Sequence, residues 1–112
     1  MQTPLGYRGA LNGVTPVEVL AAPPTGSARI VPANGISVCN CDSAAKDIIF
    51  QVLKGATTYI FWKELAVAAG SHVVLPKKVT LMEDDESFEV VMGSAITTVA
   101  PTWDISALEY TP

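Results

Sequence analysis

The sequence predicts an all-β protein: a single antiparallel β-sandwich, jelly-roll or immunoglobulin-like, with eight or nine short strands and at most one short helical turn. Three observations carry this expectation. Apolar residues recur at every second position over short runs, as in Ile36, Val38 and Asn40 and again in Ile48, Phe50 and Val52, which is the period of an extended chain. Glycine and proline, eight of each, punctuate those runs at roughly 8–12-residue intervals, the spacing of a sandwich or small barrel. No segment is long enough to form a helix that covers a sheet, so the sheets must cover one another.

Taken in order, residues 1–13 form an extended arm or a weak first strand around Tyr7 to Leu11, and residues 14–112 the sandwich. Asn12-Gly13 is a strong hairpin signal, so the arm is expected to pair back onto Thr15–Leu20, with Pro16 at a strand start or edge because it has no amide hydrogen to give. Pro23, Pro24 and Gly26 end that strand. Ala28–Val31 is a short strand, broken by Pro32-Ala33-Asn34-Gly35. The run from Gly35 to Lys54 then reads as a β-hairpin turning at Asp42–Ala45, with Ile36, Val38, Asn40, Ile48, Phe50 and Val52 on its inner face. Thr57–Trp62 is β-branched or aromatic throughout and suits a half-buried pleated surface. Lys63–Ala69 is rich in helix formers but only about two turns long, too short to hold alone, and is expected as a loop or single helical turn closed by Gly70. Strands follow at Ser71–Leu75, Val79–Met82, Phe88–Met92, Ile96–Val99 and Trp103–Tyr110, with the acidic turn Glu83–Glu86 between the second and third of these.

Composition narrows the function classes. At 112 residues the chain is one domain with a modest core, burying roughly 65% of its unfolded surface. Yet 49% of residues are hydrophobic and only 16% charged, and mean hydropathy is +0.35. The surplus points to apolar surface covered by other subunits. The net charge of −4 and the scattered basic residues argue against nucleic acid as a partner. No apolar run approaches the roughly 20 residues of a membrane span. The N-terminus lacks the charged-then-apolar order of a secretory signal, so the chain is expected to be made and kept in the cytoplasm until it assembles.

A search for chemistry selects no catalytic, cofactor-binding or metal-ligating residue. Cys39 and Cys41 on one strand face would stand about 7 Å apart, too far for an easy disulfide, and are expected as reduced, partly buried packing residues. His72, the single histidine, has no nucleophile and carboxylate placed with it by spacing; Asp42, Ser43, Asp104 and Ser106 are available but nothing selects them. Glu83–Glu86 is contiguous and lacks the glycine of a calcium loop, so it reads as a solvated turn that blunts edge pairing. The remaining signal is apolar and aromatic. Leu5, Tyr7, Leu11, Tyr59, Phe61, Trp62 and Trp103 are the interface candidates, with a sugar-stacking platform on Trp62 and Trp103 as the competing role.

The order of several segments carries a resemblance. VEVLAAPPTG, ISVCNCDSAAKDIIFQVL, AAGSHVVLP, LMEDDESFEVVM and DISALEY together resemble small β-sandwich virion proteins of tailed bacteriophages, found as capsid decoration (cement) proteins or as minor tail and neck components. Asp84-Asp85 departs from the Gly-Asp pair common in the acidic turn of such proteins. The resemblance implies a protein without enzymatic activity on the virion surface, bound to the major capsid protein and to copies of itself as a homotrimer, with residues 1–13 reaching across a seam. Tail, baseplate or neck placement and carbohydrate binding for host adsorption are the alternatives.

Overall fold

The computed structural model describes residues 1–112 and contains only strands and connections: β1 (Gln2–Ala10), β2 (Val17–Leu20), β3 (Ala28–Val31), β4 (Ile36–Cys39), β5 (Lys46–Lys54), β6 (Thr57–Val67), β7 (His72–Val74), β8 (Val79–Leu81), β9 (Glu86–Met92) and β10 (Thr102–Tyr110). All pairings are antiparallel. They form two sheets, one of β1, β10, β3, β4, β7 and β8, the other of β2, β9, β5 and β6 in that order.

The registers reduce these ten segments to eight strands. β1 occupies one flank of β10 along its whole length, from Gln2 opposite Tyr110 to Ala10 opposite Thr102. The other flank is shared by β3, opposite Tyr110 to Leu108, and β4, opposite Ile105 to Thr102. β3 and β4 are therefore one strand interrupted at Pro32–Gly35. β7 and β8, which pair with β4 and β3 respectively, are likewise one strand interrupted around Pro76, whose missing amide cannot join a ladder. Numbered as eight, the strands run 1-8-3-6 in the first sheet and 2-7-4-5 in the second. This interleaving is the jelly roll, and it decides between the two sandwich types that the sequence left open.

Interleaving corrects the expected hairpins. Ile36, Val38 and Asn40 and Ile48, Phe50 and Val52 do point inward, and all but the half-buried Val52 are buried. But β4 and β5 lie in different sheets, so they face each other across the core instead of pairing. Side-chain alternation is the same in either case. Asn12-Gly13 also carries the chain from one sheet to the other, closing only an isolated Asn12–Thr15 bridge. β1 pairs with β10 and β2 with β9. The one true hairpin is β5–β6.

Two local expectations also change. Lys63–Ala69 is not helical: the strand runs to Val67, since Lys63, Glu64 and Val67 pair with Ile49, Ile48 and Lys46, and ladder pairing outweighs a helix preference worth tenths of a kcal/mol per residue. Ile96–Val99 is not a strand; its amides turn instead onto a buried carboxylate described below.

The core fills the space between the sheets with Phe50, Phe88, Leu20, Ile36, Ile48, Leu75, Leu81 and neighbours. The Phe88 ring lies 6.3 Å from Phe50 and 5.6 Å from Phe61. Only 29 of 112 residues are buried, so much of the hydrophobic half of the chain lies at the surface.

The interruption between β3 and β4 has no room for a side chain at Gly35. A Cβ there would lie 2.8 Å from Pro32 O and 2.9 Å from Ser106 O, both main-chain atoms. Gly35→Ala is expected to lower stability in urea unfolding by about 1–3 kcal/mol. Gly6→Ala, whose nearest neighbour would be Ile105 O at 3.9 Å, stays within roughly 0.5 kcal/mol of the parent. Equal losses at both positions would overturn the packing argument.

Candidate assembly surfaces

The jelly roll sets long strands against short ones at both of its side walls. On the first wall the nine-residue β1 is faced by the four-residue β2. On the second wall the eleven-residue β6 is faced by the interrupted β7 and β8, of three residues each. Each long edge strand thus presents side chains that its own protomer only partly covers.

β1 shows this directly. Leu5, Tyr7 and Gly9 lie opposite Ala107, Ile105 and Trp103, which are buried, so all three are on the inward face. Leu5 is half-buried against the core, yet Tyr7 remains 46% exposed. The free flank of β1 is also partly disarmed. Thr111 and Met1 exchange hydrogen bonds and Leu11 N–H donates to Pro101 O, so the odd-numbered residues of β1 are the ones bonded to β10. Pro4 falls at an outward-directed position, where its missing donor costs the ladder nothing.

β6 carries two register shifts against β5, one at Phe61 and one at Leu65-Ala66. The second puts Ala66 at φ 50, with its N–H donating to Asp47 Oδ1 at 2.8 Å. Bulges re-aim side chains: consecutive Phe61 and Trp62 both pack against the core, while Tyr59, Ile60 and Leu65 are each more than half exposed. Lys77 Nζ sits 5.8 Å over the Phe61 ring and draws the β7–β8 connection onto this wall.

Five of the seven interface candidates therefore fall on the two long edge strands: Leu5 and Tyr7 on β1, and Tyr59, Phe61 and Trp62 on β6. Leu11, 2% exposed, and Trp103, 8% exposed, are spent inside the protomer. Trp103 lies beneath Gly9, where a Cβ would come within 2.8 Å of its ring. Trp62 is half-buried and donates its Nε1–H to Glu64 at 3.2 Å. The buried Trp103 is therefore withdrawn from the sugar-stacking role, in which it was paired with Trp62. Sequence reasoning missed Ile60 and Leu65, because only the bulges turn them outward.

The end of the sandwich where β4 crosses to β5 is built around buried polar groups. Asn40, fully buried, donates from Nδ2 to Val67 O at 2.7 Å and Ala44 O at 3.0 Å, and its Oδ1 accepts from Asp42 N–H. The Asp42 carboxylate accepts the N–H groups of Thr97 and Thr98 at 2.8 Å each, that of Val99 at 3.3 Å and that of Ser43 at 2.8 Å, together with the Thr98 hydroxyl at 3.1 Å. Lys46 Nζ, 3.8 Å from that carboxylate, donates to Ala95 O, Thr97 Oγ1 and Ser94 Oγ. The connection 93–101 is thereby held without any strand, and Ile96 and Val99 are displayed to solvent. The Thr97 amide, with those of Thr98, Ser43 and Val99, holds the Asp42 carboxyl well below the usual carboxylate range, against the burial that would raise it.

The other end is tied by the acidic turn. Lys54 Nζ reaches Glu83 at 3.0 Å and Asp85 at 3.8 Å, and the Glu83 hydrogen bond raises the Lys54 pKa. Glu86 Oε1 accepts the amides of Met82 and Glu83. His72 is exposed on β7 and shares no hydrogen bond with Asp42, Ser43, Asp104 or Ser106. Cys39 is half-buried; Cys41, beyond the strand end, is exposed with Sγ 3.1 Å from Ala100 O.

No protein-family model and no curated protein matches the chain. Comparison with solved structures does find likenesses. The acidic stable capsid structure of Helicobacter pylori bacteriophage KHP30 contains a chain that superposes with a TM-score of 0.52 at 11% identity, covering 100% of this chain and 94% of that one. The core of the Drosophila nucleoplasmin-like protein NLP, described for pentamer formation and histone binding, superposes at 0.50 with 8% identity and full coverage of both chains. A pentameric capsid protein from metagenomic phage sequences gives 0.48 at 13% identity, this chain spanning 61% of its length. The likeness is one of fold.

The Asp42 arrangement carries a pH test. A carboxyl whose folded pKa lies below its unfolded value stabilises the fold fully above the unfolded value, near 3.8, and loses that contribution as pH falls through and below it. The urea midpoint of the parent protein is expected to drop between pH 5 and pH 3. Asp42→Asn should start lower at pH 7, because an amide cannot accept all the converging donors, and should fall less steeply. Parallel curves for parent and variant would rule out this role for Asp42.

Proposed function

We propose that the protein is a structural component of a bacteriophage virion, a capsid decoration (cement) protein that binds the outside of the major capsid shell as a homotrimer and stabilises it. The observation that carries this reading is the pair of opposed side walls, each with a long edge strand whose apolar side chains its own protomer leaves uncovered. A protomer built this way has surface for neighbours on two sides and no cleft that gathers nucleophile, base and acid. The segment resemblance to small virion sandwiches supports the same role, as does a fold shared with a phage capsid chain over nearly the full length of both.

In this role the work is mechanical. A shell under internal pressure fails where subunits part, and a clamp that touches several subunits resists parting through many individually weak contacts acting together. The preformed loop carrying Ile96 and Val99, fixed by Asp42, suits such contact because little conformational entropy remains to be lost on binding. β1 is paired with β10 along its whole length, so the segment expected to reach across a seam offers a neighbour its outer flank.

The test is particle composition and strength. Virions carrying the protein should show hundreds of copies on the shell, and particles lacking it should release DNA at lower temperature, with stability restored by adding the purified protein. A handful of copies confined to the portal or tail would instead support the neck or tail alternative.

A further inference from the structure

We infer that the outer face of the second sheet, the side turned away from the core, docks on a shell subunit whose contact patch is apolar and basic. The identity of the partner rests on the reading proposed above; the chemistry of the face does not.

Each sheet of a sandwich needs an apolar face only toward the core, so its strands alternate. The first sheet does so: on β10, exposed Thr102, Asp104 and Ser106 stand between buried Trp103, Ile105 and Ala107. The second sheet does not. β5 reads Ile48-Ile49-Phe50-Gln51-Val52-Leu53 and β9 ends Val90-Val91-Met92, near-continuous apolar runs of the kind found in strands covered on both sides. Ile48, Phe50, Val90 and Met92 belong to the core cluster. Val91 does not, although it is only 8% exposed, and neither do half-buried Ile49 and Leu53. Ile49 lies opposite Val91 on one side and Lys63 on the other, and Gln51 lies between Glu89 and exposed Ile60. An apolar strip therefore crosses the sheet on the side where the protomer supplies no cover.

Charge selects what fits there. The charged residues at outward positions of these strands are Glu18, Asp47, Glu89 and Lys63, three acids to one base. Glu18 and Glu89 are directly opposite each other, a like-charge pair that works against the lone protomer. No ion pair joins any of the four to another group of the chain. Nucleic acid and anionic lipid carry the wrong sign for this face. A second copy laid upon it would set an excess of acid against the same excess. A protein patch with lysine or arginine beside apolar side chains matches both the strip and the acidic pair.

Area sets the strength of the contact. Four strands about 4.8 Å apart span roughly 19 Å, and a nine-residue strand such as β5 runs about 30 Å. The face thus offers up to about 550 Å² per partner, and the pair of surfaces falls at the low end of specific interfaces, near roughly 1,100 Å². One such contact is weak alone and becomes strong when many are made on one shell.

Two measurements test the face. The first uses shells that lack the protein. The parent should bind them, with affinity falling as salt rises. Glu18→Lys combined with Glu89→Lys, and separately Ile60→Asp, should weaken binding at least tenfold. Glu18 and Ile60 are exposed and Glu89 is half-buried, so the circular dichroism and melting of these variants should match the parent. Ser106→Asp, on the outer face of the first sheet, should bind like the parent. The second measurement needs no shell. Thioflavin T, a flat cationic dye, should bind the parent at low salt and bind the charge-reversed and Ile60→Asp variants at least tenfold more weakly, with Ser106→Asp unchanged. Equal dye binding by every variant would overturn the character assigned to the face. Shell binding that survives both sets of substitutions would overturn the docking and leave the shell role standing. A parent that takes the dye in this pattern and ignores shells would remove the shell role and keep the face. A parent that dimerises in light scattering, with Ile60→Asp running as a monomer, would give the face to a second copy and overturn the basic partner.

Discussion

In an interleaved sandwich nearly every connection crosses from one sheet to the other, and the backbone amides in a crossing have no ladder to join. Left unpaired near the core, each would cost about 1–3 kcal/mol. This chain meets the demand with side chains placed at the crossings. Asp42 takes the amides of Thr97, Thr98 and Val99, Asn40 binds Val67 O beside the turn into β7, and Glu86 takes those of Met82 and Glu83. Asp47 serves the bulge at Ala66 in the same way, and Arg29 donates to Ala21 O while pairing with Glu109 at 2.8 Å. Several of the acidic residues that give the chain its negative balance are therefore occupied in holding connections.

The same interleaving shapes the surface. The interruption around Pro76 divides the strand that faces β6 into β7 and β8, of three residues each, and the four-residue β2 faces the nine-residue β1. Long strands opposed by short ones leave apolar side chains half-covered at the two side walls, while the centre of the sandwich closes around Phe50 and Phe88. Part of the hydrophobic surplus thus emerges on the side walls as Tyr7, Tyr59, Ile60 and Leu65, while Val14, Met82, Ile96, Val99 and Tyr110 are exposed elsewhere.

Much of this was legible in the residues, for identifiable reasons. The inward positions of β4 and β5 followed from alternation, because the side-chain period of a strand is a local property. The aromatic candidates on β1 and β6 were visible because such residues are rare in a chain of this composition. Leu11 and Trp103 looked equivalent to them, yet Trp103 lies in the core beneath Gly9, a placement that depends on the β1–β10 register. The loop or single helical turn expected at Lys63–Ala69 and the strand expected at Ile96–Val99 failed for a related reason: a ladder to β5 and the carboxylate of Asp42 act from far away in sequence and outweigh local preference.

The amino-acid sequence by itself determined that the chain is all-β, where it turns, and which face of most strands is apolar, since these depend on each residue and its immediate neighbours. Tertiary structure alone decided which sheet each strand joins, that β4 and β5 oppose each other across the core, and that Tyr7, Tyr59, Ile60 and Leu65 stand exposed on the two long edge strands. A strand's alternation is the same whichever partner it pairs with, so pairing is chosen only when the whole set of strands buries its faces and satisfies its crossings at once.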